Sequence, residues 1–379
     1  MKKILLIVPS LNVGGMERML VNVANCLVRQ GNDVCVINMT GGAEEIESLL
    51  NSRVRYSSNV APVKFIFRAK LKDILQLKFR ILPLKYWMKF HSSKYIHGKY
   101  VKEKFDTEIA FYTGYPVKIV NGCPKETKKI FWLHGEAWQM DGITQGFFFK
   151  KNAEKVYKSF DQIVCVSDGI RKDFLHRFGE DCKVIAIPNI NDVARIKTMA
   201  KEENIGKEGL TFVLVGRVDN QHKGFDRVLT AAKRLLDEGY CFYIWIVGDG
   251  IDFNSLKEQK EGLRLNNVKL WGMQGNPYKF INSADVFICS SNYEGYGLVV
   301  AEALILEKPV ISTNVTGPAE ILDNGKYGLV VDNSIDGIYK GMKAVLDDKS
   351  LINYYKEKAV CRQDYFSEDR LGKMISDIV

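Results

Sequence analysis

The sequence predicts an α/β protein of two domains, each a parallel sheet covered by helices. Three observations predict it. The chain has 379 residues, long for one hydrophobic core and comfortable for two. Short apolar runs alternate with amphipathic stretches in both halves, as strands buried on both faces alternate with crossover helices. A glycine turn also follows the first strand-like run of each half, Gly14-Gly15 in one and Gly216 in the other, which is how a Rossmann-type unit begins.

Bulk composition narrows the class. Hydrophobic content of 46% and charged content of 26% are those of a soluble globular protein. Eight cysteines are scattered without a C-x-x-C pair, several inside apolar runs, and are expected to be reduced core residues of a cytoplasmic protein. The run after Met1-Lys2-Lys3 is stopped by Pro9, so it reads as a strand and not as a secretion signal. No stretch of about 18 apolar residues is present to span a bilayer. The net charge of +9 is concentrated: twelve Lys and Arg between Lys64 and Lys104 face only Asp73 and Glu103.

In chain order, Lys3 to Val8 is an apolar strand, and the Gly14-Gly15 turn leads into an amphipathic helix through Arg29. The turn lacks the G-x-G-x-x-G spacing, which argues against a nicotinamide or flavin dinucleotide. Asp33 to Asn38 is the second strand. Residues 63–105 interleave the basic residues with Phe65, Phe67, Phe79, Tyr86, Trp87, Phe90, Tyr95 and Tyr100, and the apolar positions fit a helix face until Pro83 breaks it. Three readings stay open: a helix lying among anionic headgroups, core aromatics with a solvated lysine face, or a nucleic-acid surface, the last disfavoured because the site motifs point to sugars. Asp106 to Tyr112 and Lys129 to Leu133 are further strands, the second ending at His134-Gly135. A lone histidine is ordinarily structural, but a strand's carboxyl end is where open α/β sheets place ligands. Asp161 to Ser167 and Lys183 to Asn189 complete the first domain.

The second half opens with the strand Thr211 to Val215, followed by Gly216-Arg217 and, after a short loop, Lys223-Gly224. Two cations leave the strand end together, Arg217 with a planar fork and Lys223 as a point charge, a pair suited to a diphosphate. Tyr240 to Val247, Val268 to Gln274 and Ala284 to Cys289 are the next strands. The last runs into Tyr293-Glu294-Gly295-Tyr296-Gly297-Leu298-Val299-Val300-Ala301-Glu302-Ala303. If a helix starts at Leu298, the N–H groups of residues 296 to 298 point outward at its positive end, which attracts phosphate. Glu294 then sits at the mouth of the turn and Glu302 about one turn inside. The plainer reading makes them a helix cap and a solvated helix residue. Val310 to Thr313 and Gly317 to Leu322 follow, and an amphipathic tail runs to Val379.

The stretch EGYGLVVAEA resembles the paired-glutamate signature of the family-four retaining glycosyltransferases, enzymes of GT-B architecture in which two Rossmann-like domains face a cleft. The resemblance spans nearly the whole chain, and this stretch is its most specific part. It implies that Glu302 holds the nucleotide ribose, that Glu294 approaches the donor sugar hydroxyls, and that Gly295, Tyr296, Gly297 and Leu298 present backbone amides. Gly216, Arg217 and Lys223 match the family's donor-phosphate loop, and Gly14-Gly15 its glycine loop opposite the phosphates. His134 matches the histidine facing the donor sugar, and Met273, with Gln274, sits where the base is met. The resemblance further implies an acceptor-binding domain over 1–200, a donor-binding domain over 201–362, and a helix over 363–379 crossing back onto the first.

The expected reaction is transfer of a hexose or N-acetylhexosamine from a UDP-sugar to a saccharide, lipid-linked, in bacterial surface-polysaccharide assembly, with retention by front-face attack. Arg217, Lys223 and the helix end would serve as the cationic cradle, and the chain contains no Asp-x-Asp, so neither metal nor cofactor is expected. The enzyme is expected in the cytoplasm, on the inner face of the membrane through residues 63–104, with no nucleic-acid partner. A sugar-nucleotide epimerase and a non-catalytic glycan- or lipid-binding scaffold are the competing readings; product analysis with donor alone separates the first, and the intact charged set speaks against the second.

Overall fold

The computed structural model describes residues 1–11, 14–40, 44–58, 87–135, 144 and 146–379. The helix face expected over 63–75 and its break at Pro83 lie outside the described residues, as do Asn12 and Val13 of the first glycine turn. The chain forms two units, Met1–Pro188 with Leu371–Val379, and Asn189–Arg370. The division thus falls earlier than residue 200, where the sequence places it. The helix Val193–Met199 belongs to the second unit: Asn276 Nδ2 donates to Met199 O at 2.8 Å and Asn282 Nδ2 to Ala200 O at 3.2 Å.

Among the described residues the first unit is built on β1 (Lys3–Val8), β2 (Asp33–Asn38), β3 (Arg55–Ser58), β4 (Thr107–Ala110), β5 (Lys128–Leu133), β6 (Gln162–Cys165) and β7 (Val184–Ala186). They form one parallel sheet in the order β3-β2-β1-β4-β5-β6-β7. Ile4 to Val8 are fully buried because helices cover both faces, so the central strand has no reason to alternate. The helix Gly15–Arg29 packs beside β2 and buries Met19, Leu20, Val23, Ala24 and Leu27, spaced to fall on one helix face. The chain's end returns to this helix. Gln30 Nε2 donates to Gly372 O at 2.8 Å, Lys2 Nζ to Val379 O at 2.6 Å, and a Cβ on Gly372 would lie 3.0 Å from Cys26 Sγ.

The second unit carries β8 (Thr211–Val215), β9 (Tyr243–Val247), β10 (Val268–Gly272), β11 (Val286–Cys289), β12 (Val310–Thr313) and β13 (Leu329–Val331). Their order is β10-β9-β8-β11-β12-β13, again parallel throughout. Two strands, β3 and β13, are absent from the sequence reading. Both are sheet edges, where one neighbour suffices: β3 reads Arg-Tyr-Ser-Ser, and β13 is three residues long.

Each sheet reverses its direction of winding once, between β1 and β4 in the first unit and between β8 and β11 in the second. At such a reversal the connections leave to opposite sides, and a crevice opens beyond the strands' carboxyl ends. The loops there are packed to backbone distance. Gly248, after β9, has φ +137°, and a Cβ on it would lie 1.9 Å from Gly216 O. Gly248→Ala is therefore expected to destabilise the second unit by about 3 kcal/mol or more, from strain plus displacement of the Gly216 loop. Urea unfolding checks this, and a variant within about 0.5 kcal/mol of wild type would show that the loop yields freely.

Candidate active site

The loops after β8 and β11 meet at the crevice of the second unit, and a set of polar contacts ties them together. Ser290 Oγ donates to Lys223 O at 2.8 Å, Asn292 N to His222 O at 2.8 Å, and Asn292 Nδ2 to Asn220 O at 3.1 Å and Gln221 O at 3.0 Å. Gly224, at φ +60°, ends the short helix Asn220–Lys223 and starts the helix Phe225–Asp237; a Cβ there would meet Ser290 O at 2.6 Å. Glycine is what lets the two loops touch.

Across this junction Lys223 Nζ is bonded to Glu294 Oε2. Burial pulls the Lys223 ammonium down, and the Glu294 carboxylate more than offsets it, leaving the pKa above the ordinary lysine value. The charge is therefore kept through the whole neutral range. An ammonium has three N–H donors and Glu294 occupies one, so the cation retains capacity for a second anion. Arg217 lies close enough to oppose the Lys223 charge. Its guanidinium is 68% exposed and, among the described residues, is paired with Asp219 at 3.6 Å, a loose surface contact. Asp219 itself is fixed. Burial alone would raise its carboxyl, but the His222 ring at 2.9 Å and the His222 N–H at 3.2 Å hold it below the usual range.

The helix Leu298–Ile305 starts at Gly297, whose φ of +93° is the left-handed region that glycine favours. Among the described residues the N–H groups of Leu298 and Val299 reach no acceptor, as expected for the first turn of a helix. The turn before it is pinned from below: Gly317 N donates to Glu294 O at 3.0 Å, and a Cβ on Gly317 would lie 2.3 Å from Tyr296 Cα. Tyr296 contributes backbone, because its side chain is buried, with the hydroxyl directed to Asn189 O at 3.4 Å. Glu302 is not a solvated helix residue. It is 6% exposed and accepts from Tyr278 Oη at 3.0 Å.

The structure thus brings together Gly216, Arg217, Lys223, Glu294, Gly295, Tyr296, Gly297 and Leu298 around one crevice, with Glu302 behind the turn. Met273 stands after β10, 65% exposed, while the Gln274 side chain is tied to Trp271 O at 2.8 Å. Gly14, Gly15 and His134 belong to the first unit. Gly14 is the N-cap of Gly15–Arg29, and a Cβ on it would strike the Glu17 carboxylate at 2.4 Å. His134 follows β5 with its ring 4.6 Å from Phe111, at the carboxyl end of β4. Burial pushes its pKa down to about 3, against a hydrogen bond with the Phe111 backbone, and its Nε2 finds no partner among the described residues. The imidazole is neutral.

Sequence reasoning missed Ser290, Asn292, Asp219 and Tyr278. The first two form the polar end of an apolar strand, a signal that was legible. Tyr278 lies far from Glu302 in sequence and could be found only by folding the chain.

Two known family models match the two halves of the chain. A family model described as "Glycosyltransferase Family 4" matches residues 13–195, and one described as "Glycosyl transferases group 1" matches 195–360. The chain belongs to the family-four type glycosyltransferases. An uncharacterized glycosyltransferase of Methanocaldococcus jannaschii is 28% identical to this transferase over 331 residues, 82% of the chain and 79% of that protein. An N-acetylgalactosamine-N,N'-diacetylbacillosaminyl-diphospho-undecaprenol 4-alpha-N-acetylgalactosaminyltransferase of Campylobacter jejuni is 28% identical over 225 residues, 58% of the chain and 60% of that protein. Among solved structures, HepE of Anabaena in complex with UDP and glucose superposes with a TM-score of 0.71 at 17% identity, covering 100% of the transferase and 99% of that chain. The fold of the transferase is GT-B, two Rossmann-like domains of parallel sheet.

The half-buried His134 makes stability pH-dependent. Its folded pKa lies below the ordinary 6.5, so the unfolded chain binds the proton more readily, and stability is complete above pH 6.5 and lost as pH falls towards 3. Between pH 6.5 and pH 5 the transferase should lose about 1–2 kcal/mol that His134→Asn does not lose, as read from urea midpoints. Parallel losses in both proteins would assign the acid sensitivity elsewhere.

Proposed function

We propose that this transferase moves a hexose or N-acetylhexosamine from a UDP-sugar to a lipid-linked saccharide in bacterial surface-polysaccharide assembly, with retention of anomeric configuration and without a metal. The observation that carries the reading is the Lys223–Glu294 ion pair at the mouth of the Leu298–Ile305 helix. Breaking the anomeric bond builds negative charge on the departing diphosphate and positive charge on the sugar ring. A fixed ammonium and a helix end suit the first, and a carboxylate beside the sugar suits the second.

In this reading Lys223, Arg217 and the amides of Gly295 to Leu298 take the diphosphate. Glu294 accepts from donor sugar hydroxyls, Glu302 holds the ribose, and Met273 lies against the base. His134 offers a neutral imidazole to the sugar, and the first unit, with Gly14-Gly15, receives the acceptor. The acceptor oxygen attacks the anomeric carbon on the face from which the diphosphate leaves; the carbon–oxygen bond to phosphate breaks, and the acceptor's proton passes to the leaving phosphate. UDP in the solved HepE complex supports the choice of nucleotide, and the undecaprenol diphosphate in the Campylobacter relative's name supports a lipid-linked acceptor. Relatives named for lipopolysaccharide core and capsular polysaccharide biosynthesis support the setting.

Lys223→Ala should lower turnover by about 10² or more, the worth of one contact to developing negative charge. Near-wild-type turnover would remove Lys223 from the site. Glu302→Ala should chiefly weaken donor binding, and unchanged nucleotide affinity contradicts the ribose role. Thermal shift with UDP-, GDP- and ADP-sugars identifies the donor, because a ligand of the folded state raises the melting point. The anomeric configuration of the product, read by NMR, tests retention.

A further inference from the structure

Two segments distant in sequence carry exposed aromatic rings that meet on the first unit. Phe90 is 71% exposed, Phe148 48% and Phe149 69%. The Phe90 and Phe148 rings meet edge-on at 4.9 Å, with Phe149 6.5 Å beyond Phe148. Lys89 Nζ stands 5.7 Å over the Phe148 ring, and the exposed Lys150 and Lys151 open the next helix, Lys150–Lys158. This cluster is built and not incidental. Beneath it Lys118, 5% exposed, donates through Nζ to Met88 O and, at 2.6 Å, to Gly146 O. One buried cation thus anchors the backbone just before Lys89-Phe90 and just before the run Phe147-Phe148-Phe149. Phe147 turns inward, 5.4 Å from the same Nζ, while its two neighbours are held out in water. Gly146 is left-handed at φ +84°, with Lys118 Cδ 3.2 Å from where a Cβ would sit. Hydrophobic collapse alone would turn these rings inward.

We propose that Phe90, Phe148 and Phe149, with Lys89, Lys150 and Lys151, form the docking surface for an anionic lipid bilayer. The rings enter the headgroup and acyl boundary, and the ammonium groups meet lipid phosphates. Charge complementarity selects this occupant: the helix Lys150–Lys158 carries four lysines against the single acid Glu154. The inference deepens the proposed function and rests on its lipid-linked acceptor. To the contact stretch expected over 63–104, whose residues 63–86 lie outside the described residues, it adds a second segment, 146–151.

Sedimentation of the full chain with phosphatidylcholine vesicles, with and without phosphatidylglycerol, tests it. The wild type should sediment with the anionic vesicles and be released by salt. The triple variant F90S/F148S/F149S should partition at least about tenfold more weakly, and K89Q/K150Q/K151Q should bind weakly even at low salt. Both variants should keep the wild-type melting point and its rise with UDP-sugar, because five of the six side chains are exposed, Lys89 is half-buried, and all lie outside the donor loops. The proposal is overturned if the wild type ignores anionic vesicles, or if the phenylalanine variant binds them as the wild type does. It is equally overturned if the patch instead joins two copies, seen as a dimer in ultracentrifugation that the phenylalanine variant converts to monomer without any vesicle binding. A wild type that binds vesicles but is not stabilised by UDP-sugar would sink the donor reading and leave the docking surface standing.

Discussion

The bond between Lys223 and Glu294 is the constraint on which the second unit's functional end depends. Two charges taken partly out of water each depend on the other; removing one partner of a fully buried pair typically costs about 3–5 kcal/mol, and this half-buried pair, about a fifth exposed, lies below that range. Lys223 leaves β8 and Glu294 leaves β11, so the bond spans the sheet's one reversal and fixes the distance between two independent loops. Ser290 and Asn292 add neutral hydrogen bonds across the same junction. The cation that would meet a leaving group is thereby positioned before any substrate arrives, and preorganisation of this kind is what makes electrostatic stabilisation effective.

That junction exists because the sheets are parallel. Parallel strands need crossover helices, the helices bury both faces, and every loop carrying polar side chains is driven to the strand ends. The carboxyl ends then collect helix N-termini, and the order β10-β9-β8-β11-β12-β13 leaves the loops after β8 and β11 side by side. Close packing follows. Gly224, Gly248 and Gly317 each sit where a Cβ would meet backbone atoms within 3 Å, so the loops are fitted backbone to backbone and cannot drift independently.

Much of this was legible in the order of residues. The apolar runs that became β1, β2, β8 and β11 are recognisable because a strand buried on both faces needs no polar position. Gly297 and Leu298 announced a helix start because only glycine enters the left-handed turn without strain. Two of the four edge strands among the described residues escaped for the opposite reason: β3 and β13 are half solvated, short, and carry no pattern strong enough to read. Glu302 could be placed on its helix but not assigned to the interior, since its burial is created by Tyr278 arriving from another element.

By itself the sequence determined the fold class, the two glycine turns and the chemical identity of the candidate site, because these depend on local properties: apolar periodicity, backbone freedom and charge within a single loop. Only the tertiary structure decided that Lys223 pairs with Glu294, that His134 is neutral, and that Phe90 meets Phe148 above a buried Lys118. Each of these is a relation between residues far apart in the chain. Its energy lies in desolvation and contact, which come into being only when the sheets have brought the partners together.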